Sequence, residues 1–207
     1  MPENGDSDLP EYCRKPTLVL ACGNLLFGDD GFGCALVEYV ESHHRVPDDV
    51  CILDAGTGVR SLLFTLCLSD ARPRRILIVD ALDAARSPGE LFELDPSAIP
   101  PIKLDDFSMH QIPTSNLLRE LQESCGVEVR VLACQTGELP KEISPGLSPP
   151  VQAALPQAAE WVVREYLPDH GHRPIAWPRE PENQEPARHA VSQKGDDARR
   201  GLGSCDT

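Results

Sequence analysis

The chain has 207 residues, 41% of them hydrophobic and 25% charged, which fits one compact domain or a domain with a tail and excludes a collagenous or wholly disordered polypeptide. Its 19 Lys and Arg against 33 Asp and Glu leave a net charge of −14, which repels polyphosphate, so nucleic acid is not an expected partner. An acidic surface is compatible with small ligands, metal cations or a protein partner that is basic where it touches.

Taken in chain order, residues 1–16 begin with an acidic stretch that lacks the apolar h-region of a secretory signal, and they are expected to form a flexible segment. A cytoplasmic location follows, with the eight cysteines reduced, and Cys22, Cys51 and Cys134 fall inside apolar, strand-like runs where a thiol serves as a small hydrophobe. No apolar stretch approaches the roughly 20 residues of a membrane span, so no membrane partner is expected. From 17 to 167 short β-rich runs alternate with helical periods. Residues 17–22 read as a continuous apolar strand, followed by a helical stripe of Phe32, Leu36, Val40 and His43. A second strand is predicted over 50–53, a helix over 60–68, a strongly buried third strand over 75–79, and a fourth over 90–94 whose alternation suits a sheet edge. A helix near 114–123 and a fifth strand over 127–134 follow.

The last helix opens favourably, because Ser148 can cap it and Pro149 suits its first position. Its stripe runs Val151, Leu155, Ala158, Val162, Tyr166, but Pro156 predicts a kink or a later start. Residues 168–207 are Pro-rich and aperiodic and read as a disordered tail. The alternation as a whole predicts an α/β fold with a largely parallel sheet and helices on both faces, and in such sheets sites form at the carboxyl ends of the strands.

Three predicted strands end in a distinctive group. Strand one runs into Gly23-Asn-Leu-Leu-Phe-Gly-Asp-Asp-Gly-Phe-Gly33, strand two into Asp54-Ala-Gly-Thr-Gly58 and strand three into Asp80-Ala-Leu-Asp83. The glycines hint at a phosphate loop, but no Gly-x-Gly-x-x-Gly is present, and Asp29-Asp30 stands where a phosphate loop carries Lys-Ser/Thr. Two carboxylates there repel a phosphate and favour a cation, so no nucleotide cofactor is expected. The competing reading makes at least one of them a helix cap. Asp54 and Asp80 could equally be turn-closing aspartates, and His110, in Ser108-Met-His-Gln111, could be a structural histidine. No Gly-x-Ser-x-Gly elbow follows a strand, and no cysteine has a recognisable nucleophile setting.

The Gly23–Gly33 motif, Asp54-Ala-Gly-Thr57, Ile78-Val-Asp-Ala81 with Pro88-Gly89, and Ser108-Met-His-Gln111 together resemble the maturation endopeptidases of nickel-iron hydrogenases, over most of 17–167. Asp80 and the later Ser144-Pro-Gly-Leu-Ser-Pro-Pro150 are most similar to the branch serving coenzyme F420-reducing and related cytoplasmic hydrogenases. The resemblance implies a three-layer sandwich whose five-stranded, mostly parallel sheet lies between helices. It also implies an aspartyl-type endopeptidase that removes a C-terminal extension from the nickel-loaded large-subunit precursor, with the chain acting as a monomer. The family's nickel-contacting positions carry over to Asp30, Asp54 and His110, which would be both metal-binding and catalytic, the nickel coming from the substrate. Two carboxylates and an imidazole without thiolates suit a borderline divalent ion that keeps other ligands, and no His-Glu-x-x-His of a resident metalloprotease is present. A non-catalytic, nickel-dependent assembly chaperone and a cofactor-binding oxidoreductase are the alternatives, the second disfavoured by the missing glycine fingerprint.

Overall fold

The structure is a computed structural model and describes residues 9–96 and 115–167. The run Thr17–Cys22 forms β1, buried along its whole length because it lies inside the sheet, with the parallel strands β2 (Val50–Gly56) and β3 (Arg75–Leu82) on either side. β5 (Glu128–Gln135) pairs parallel with β3, and the short β4 (Leu91–Leu94) closes the edge antiparallel to β5, giving the order β2-β1-β3-β5-β4. Near-continuous apolar runs in β1 and β3 are what a strand covered on both faces requires. Among the described residues β4 pairs on one side only, in keeping with its alternation.

Period-two alternation sorts the strand side chains into two cores. Leu18, Leu20, Ile76 and Ile78 meet α3 (Val59–Leu68) and α4 (Ser115–Glu123) through Leu63, Leu66, Leu118 and Leu121. Val19, Leu77 and Val79 meet α2 (Phe32–His43) and α5 (Pro149–Tyr166) through Phe32, Leu36, Trp161 and Val162. Each such fully buried aliphatic side chain contributes about 1.5–3 kcal/mol, so the sandwich is held by its two apolar layers. The expected α/β fold with helices on both faces of a mostly parallel five-stranded sheet is the fold observed. The cysteines of the described residues are all free, with Cys22, Cys51 and Cys134 in the core.

Several local expectations change. Residues 9–16 are no flexible lead: α1 (Glu11–Arg14) buries Cys13 and packs Leu9 and Tyr12 on the α3/α4 core, and the Lys15 ammonium donates to the carbonyl of Asp48. Residues 1–8 and the predicted tail lie outside the described residues. His43 does not continue the buried stripe of α2 but stands exposed, stacked on Tyr39 with ring centroids 4.1 Å apart. α5 starts at Pro149 and runs unbroken through Pro156, which lies on its exposed face, so the Gln152 carbonyl left without an amide partner there can turn to water. Ser148 takes the N-cap position without capping. With prolines at 149 and 150 the first turn has fewer orphan N–H groups, and the serine hydroxyl donates elsewhere.

Candidate functional site

The chain leaves β1 to form β2 on one side and then crosses to form β3 on the other, with α2 and α3 on opposite faces of the sheet. That reversal opens a crevice beyond the carboxyl ends of β1 and β3. A cavity of about 440 Å³ lies there, lined by Cys22, Gly23, Asn24, Phe27 and Asp30 after β1, by Gly56, Thr57 and Val59 after β2, by Asp80, Ala81 and Leu82 of β3, and by Leu139, Pro140 and Lys141.

Glycine makes the geometry possible at two points. Gly23 turns the chain at φ +110°, and any Cβ there would collide with the carbonyl oxygen of Asp30, which accepts instead from the Asn24 amide at 3.1 Å. At Gly33 a Cβ would run into the carbonyls of Cys22 and Val79, the latter at 2.6 Å, so only glycine lets α2 settle onto β1 and β3. The 3-10 turn Gly28–Gly31 between them carries both adjacent aspartates.

These two aspartates have different tasks. Asp30 is part-buried and faces the cavity. Asp29 is 3% exposed and turns the other way, accepting from the Gly137 amide (2.8 Å), the Ser148 amide (2.6 Å) and the Ser148 hydroxyl (2.9 Å). Neither the 3-10 turn nor α2 has a side-chain cap, so the capping reading fails for both. Asp29 instead staples the β1 loop to the ends of residues 137–148. The same two segments are zipped by a parallel bridge between Phe27 and Ser144, with Gly28 N–H donating to the Ser144 carbonyl and Ser144 N–H to that of Leu26, both at 2.9 Å.

Of the three carried-over positions, Asp30 lines the cavity, Asp54 does not, and His110 lies outside the described residues. Asp54 is exposed on the rim, where one oxygen, Oδ1, accepts from the Gly56 amide (2.9 Å) and from the Cys34 thiol (3.1 Å). The β1–β2 register pairs Ala21 with Asp54 and Cys22 with Gly56, leaving Ala55 as a bulge, and the bulge ends the ladder beside the cavity. Asp80 is the residue that joins Asp30 in the cavity. Burial, only partly offset by the Ala81 amide donating to Oδ1 at 2.8 Å, pushes its carboxyl up to about 7, and the negative charge of Asp30 adds to the effect. In sequence Asp54 and Asp80 look alike, each closing a strand; the difference lies in strand order, since among the described residues β3 is interior and β2 is an edge. Among the described residues no group of three or more His, Cys, Asp and Glu is placed to hold a metal ion.

The thiols nearby are inert. Burial, and then the bond donated to Asp54, push Cys34 up to about 12, and burial followed by the charge of Asp80 raises Cys22 well above its ordinary value. Neither supplies a thiolate at neutral pH. Behind β3 the buried amide of Gln135 fixes the loop after that strand: its Oε1 accepts from Ala84 N–H (2.8 Å) and Arg86 N–H (3.0 Å), and its Nε2 donates to Asp83 (3.1 Å). No sequence signal points to Gln135. Among the described residues no helix is long and apolar enough to cross a membrane.

Comparison with known proteins gives the site its context. The family model HycI, hydrogenase maturation protease, matches residues 34–165. A Methanocaldococcus jannaschii protein assigned to the hydrogenase maturation proteases is 39% identical over 153 residues, 73% of this chain and 97% of the relative. The coenzyme F420 hydrogenase subunit delta of Methanothermobacter thermautotrophicus is 36% identical, covering 72% of this chain and 92% of its own. The solved structure of the hydrogenase maturating endopeptidase HybD from E. coli superposes with a TM-score of 0.56 at 29% identity, over 71% of this chain and 89% of that one. A family model that matches most of the folded part, together with relatives matched over nearly their whole length, places the chain among the hydrogenase maturation proteases, and it is a peptidase of that family.

Proposed function

We propose that the protein removes a C-terminal extension from the nickel-loaded large-subunit precursor of a nickel-iron hydrogenase and recognises the substrate's nickel with Asp30, Asp80 and His110. The observation that carries this reading is the meeting of Asp30 and Asp80 in one cavity at the switch point of the sheet. Asp80 takes the place expected for Asp54, whose rim position and local hydrogen bonds suit a residue that shapes the turn after β2. The ion is part of the substrate. A small set of oxygen and nitrogen donors leaves coordination positions for the precursor's own ligands, which fits an ion inspected in place rather than one kept by the enzyme.

Charge supplies the discrimination. A nickel-free precursor meets an acidic cavity in which burial, and then the charge of Asp30, make Asp80 hold its proton more firmly than an ordinary aspartate. A substrate cation favours the carboxylate of Asp80 and turns repulsion into attraction. The F420-reducing hydrogenases are the proposed substrate branch, supported by the 36% identical subunit delta, and the proposed setting is the cytoplasm, with the chain as a monomer. The test is incubation with nickel-loaded and nickel-free precursor, read by mass. Loss of the extension from the loaded form alone is expected, and cleavage of both forms alike would overturn the nickel-sensing mechanism.

A further inference from the structure

The walls of the cavity continue outward into an apolar rim. Leu25 and Leu26 are 47% and 48% exposed and Ile143 is 68% exposed, three of the five large apolar side chains that stand in solvent among the described residues. Isolated exposed apolar residues are ordinary, but a cluster beside a cavity marks an interaction surface. These tips are held outward by structure. The Phe27–Ser144 bridge joins their two segments, the Leu26 amide also donates to Asn24 Oδ1 at 3.0 Å, and Asp29 anchors residues 137–148 at both ends. A surface ordered in advance binds without the entropy cost of ordering it. Beside the tips, Lys141 is exposed and is the single cation among the described residues that line the cavity.

We infer that Leu25, Leu26 and Ile143, with Lys141 beside them, form the docking surface for an extended, apolar segment of the precursor polypeptide that carries an acidic side chain. The inference rests on the endopeptidase reading and adds the chemistry of the segment recognised. Two arguments identify the occupant. The rim is continuous with the cavity, since Phe27, Leu139 and Pro140 belong to the same two segments, so a chain lying on the rim leads directly to Asp30 and Asp80. Among the described residues of the rim the charges are complementary at one point: an acidic group is repelled by the cavity aspartates and by the exposed Glu138 and Glu142, and accepted at Lys141, which fixes the register of the segment.

The experiment measures binding of nickel-free and nickel-loaded precursor to the full chain by biolayer interferometry, beside KM and kcat for processing of the loaded form. Leu26→Ser/Ile143→Ser should weaken binding of both forms about tenfold or more and raise KM alike, with kcat within about twofold and melting unchanged, as truncation of exposed anchors does. Lys141→Glu should also weaken binding, more at low than at high salt. Phe64→Ser, an exposed apolar change on α3 outside the cavity lining, should leave both readouts unchanged. Equal affinity of wild type and double variant, or an equal loss from Phe64→Ser, would overturn the docking surface. So would a concentration-dependent dimer of the wild type dissolved by the double variant, which would assign the rim to a second copy. Binding lost in the variant while even the wild type leaves the precursor uncut would keep the docking surface and remove the endopeptidase reading.

Discussion

Asparagine at position 29 is the sharpest single perturbation of this molecule, because it preserves shape and alters only donors and acceptors. The Asp29 carboxylate accepts one bond on Oδ1 and two on Oδ2, and all three donors come from residues 137 and 148. In Asp29→Asn one oxygen becomes an amino group. If that group takes the Oδ2 place, the Ser148 hydroxyl can rotate and accept from it, but the Gly137 N–H faces another donor; if it takes the Oδ1 place, the Ser148 N–H does. Either way one backbone amide loses a charged acceptor in a site where the side chain is 3% exposed. A hydrogen bond to a charged group contributes about 1.5–3 kcal/mol and an orphaned buried donor costs a similar amount, so the expected loss is about 2–3 kcal/mol for Asn and about 3–5 kcal/mol for Ala. Urea unfolding at pH 7 should move the midpoint down by about 1 M with the slope unchanged. Amide exchange at Gly137 and Ser148 should accelerate beyond the global change, and processing should weaken because Leu139, Pro140 and Lys141 lie between the two anchors. A helix-capping aspartate would lose only about 1 kcal/mol. An Asn variant within about 0.5 kcal/mol of wild type, with unaltered exchange at those two amides, would refute the staple.

Asp80→Asn should abolish processing yet stabilise the fold at high pH. The folded carboxyl titrates near 7 against an ordinary 3.8, so between those values the native state keeps a proton that the unfolded chain has lost, and stability falls as pH rises until the full penalty stands above pH 7. The shift corresponds to a ceiling of about 4 kcal/mol, and with the side chain part-exposed a gain of about 1–2 kcal/mol at pH 8 is expected, vanishing near pH 4; a variant equally or less stable than wild type at pH 8 would contradict this. Asp30→Asn and His110→Ala should each nearly abolish cleavage of loaded precursor, and Asp30→Asn/Asp80→Asn should lose little beyond either single change, whereas Asp54→Asn should retain partial activity; equal loss at Asp54 would return it to the metal-contacting set. Purified protein should carry far less than one equivalent of metal by elemental analysis, and stoichiometric zinc surviving chelation would favour a resident metal centre. Deletion after Leu167 should leave the melting midpoint in place, and a drop of several degrees would mean the removed residues had been docked.

The sheet is legible in the sequence because its strands announce themselves twice, by apolar runs and by the residues that terminate them. Thr17–Cys22 and Arg75–Leu82 are β-branched and apolar between breaks, and each reaches the rim at a glycine or aspartate. The site is only half legible. Adjacent aspartates at 29 and 30 look equivalent in a line of letters, and only the 3-10 turn sends one into the cavity and the other into a buried hydrogen-bond site. Asp54 and Asp80 likewise differ by strand order, a long-range property that no local window contains. Residues 9–16 mislead for the opposite reason: polar composition hides Leu9, Tyr12 and Cys13, whose few apolar contacts suffice to dock them. Gln135 gives no signal, because a buried amide that satisfies a neighbouring loop resembles any other glutamine until the loop is in place.

The Phe27–Ser144 bridge also bears on when during biosynthesis the enzyme becomes competent. Its two halves lie more than a hundred residues apart, and the Asp29 bonds span 108 and 119 positions, so one wall of the cavity waits for segments made long after β1 and β3. Contacts of such separation form late, since the loop they close must be ordered before they stabilise anything. A nascent chain that has emerged only as far as β3 therefore carries both cavity aspartates but neither the outer wall nor Lys141. Peptidase competence then arrives only once residues 137–148 have been made and docked, well after both cavity aspartates are in place.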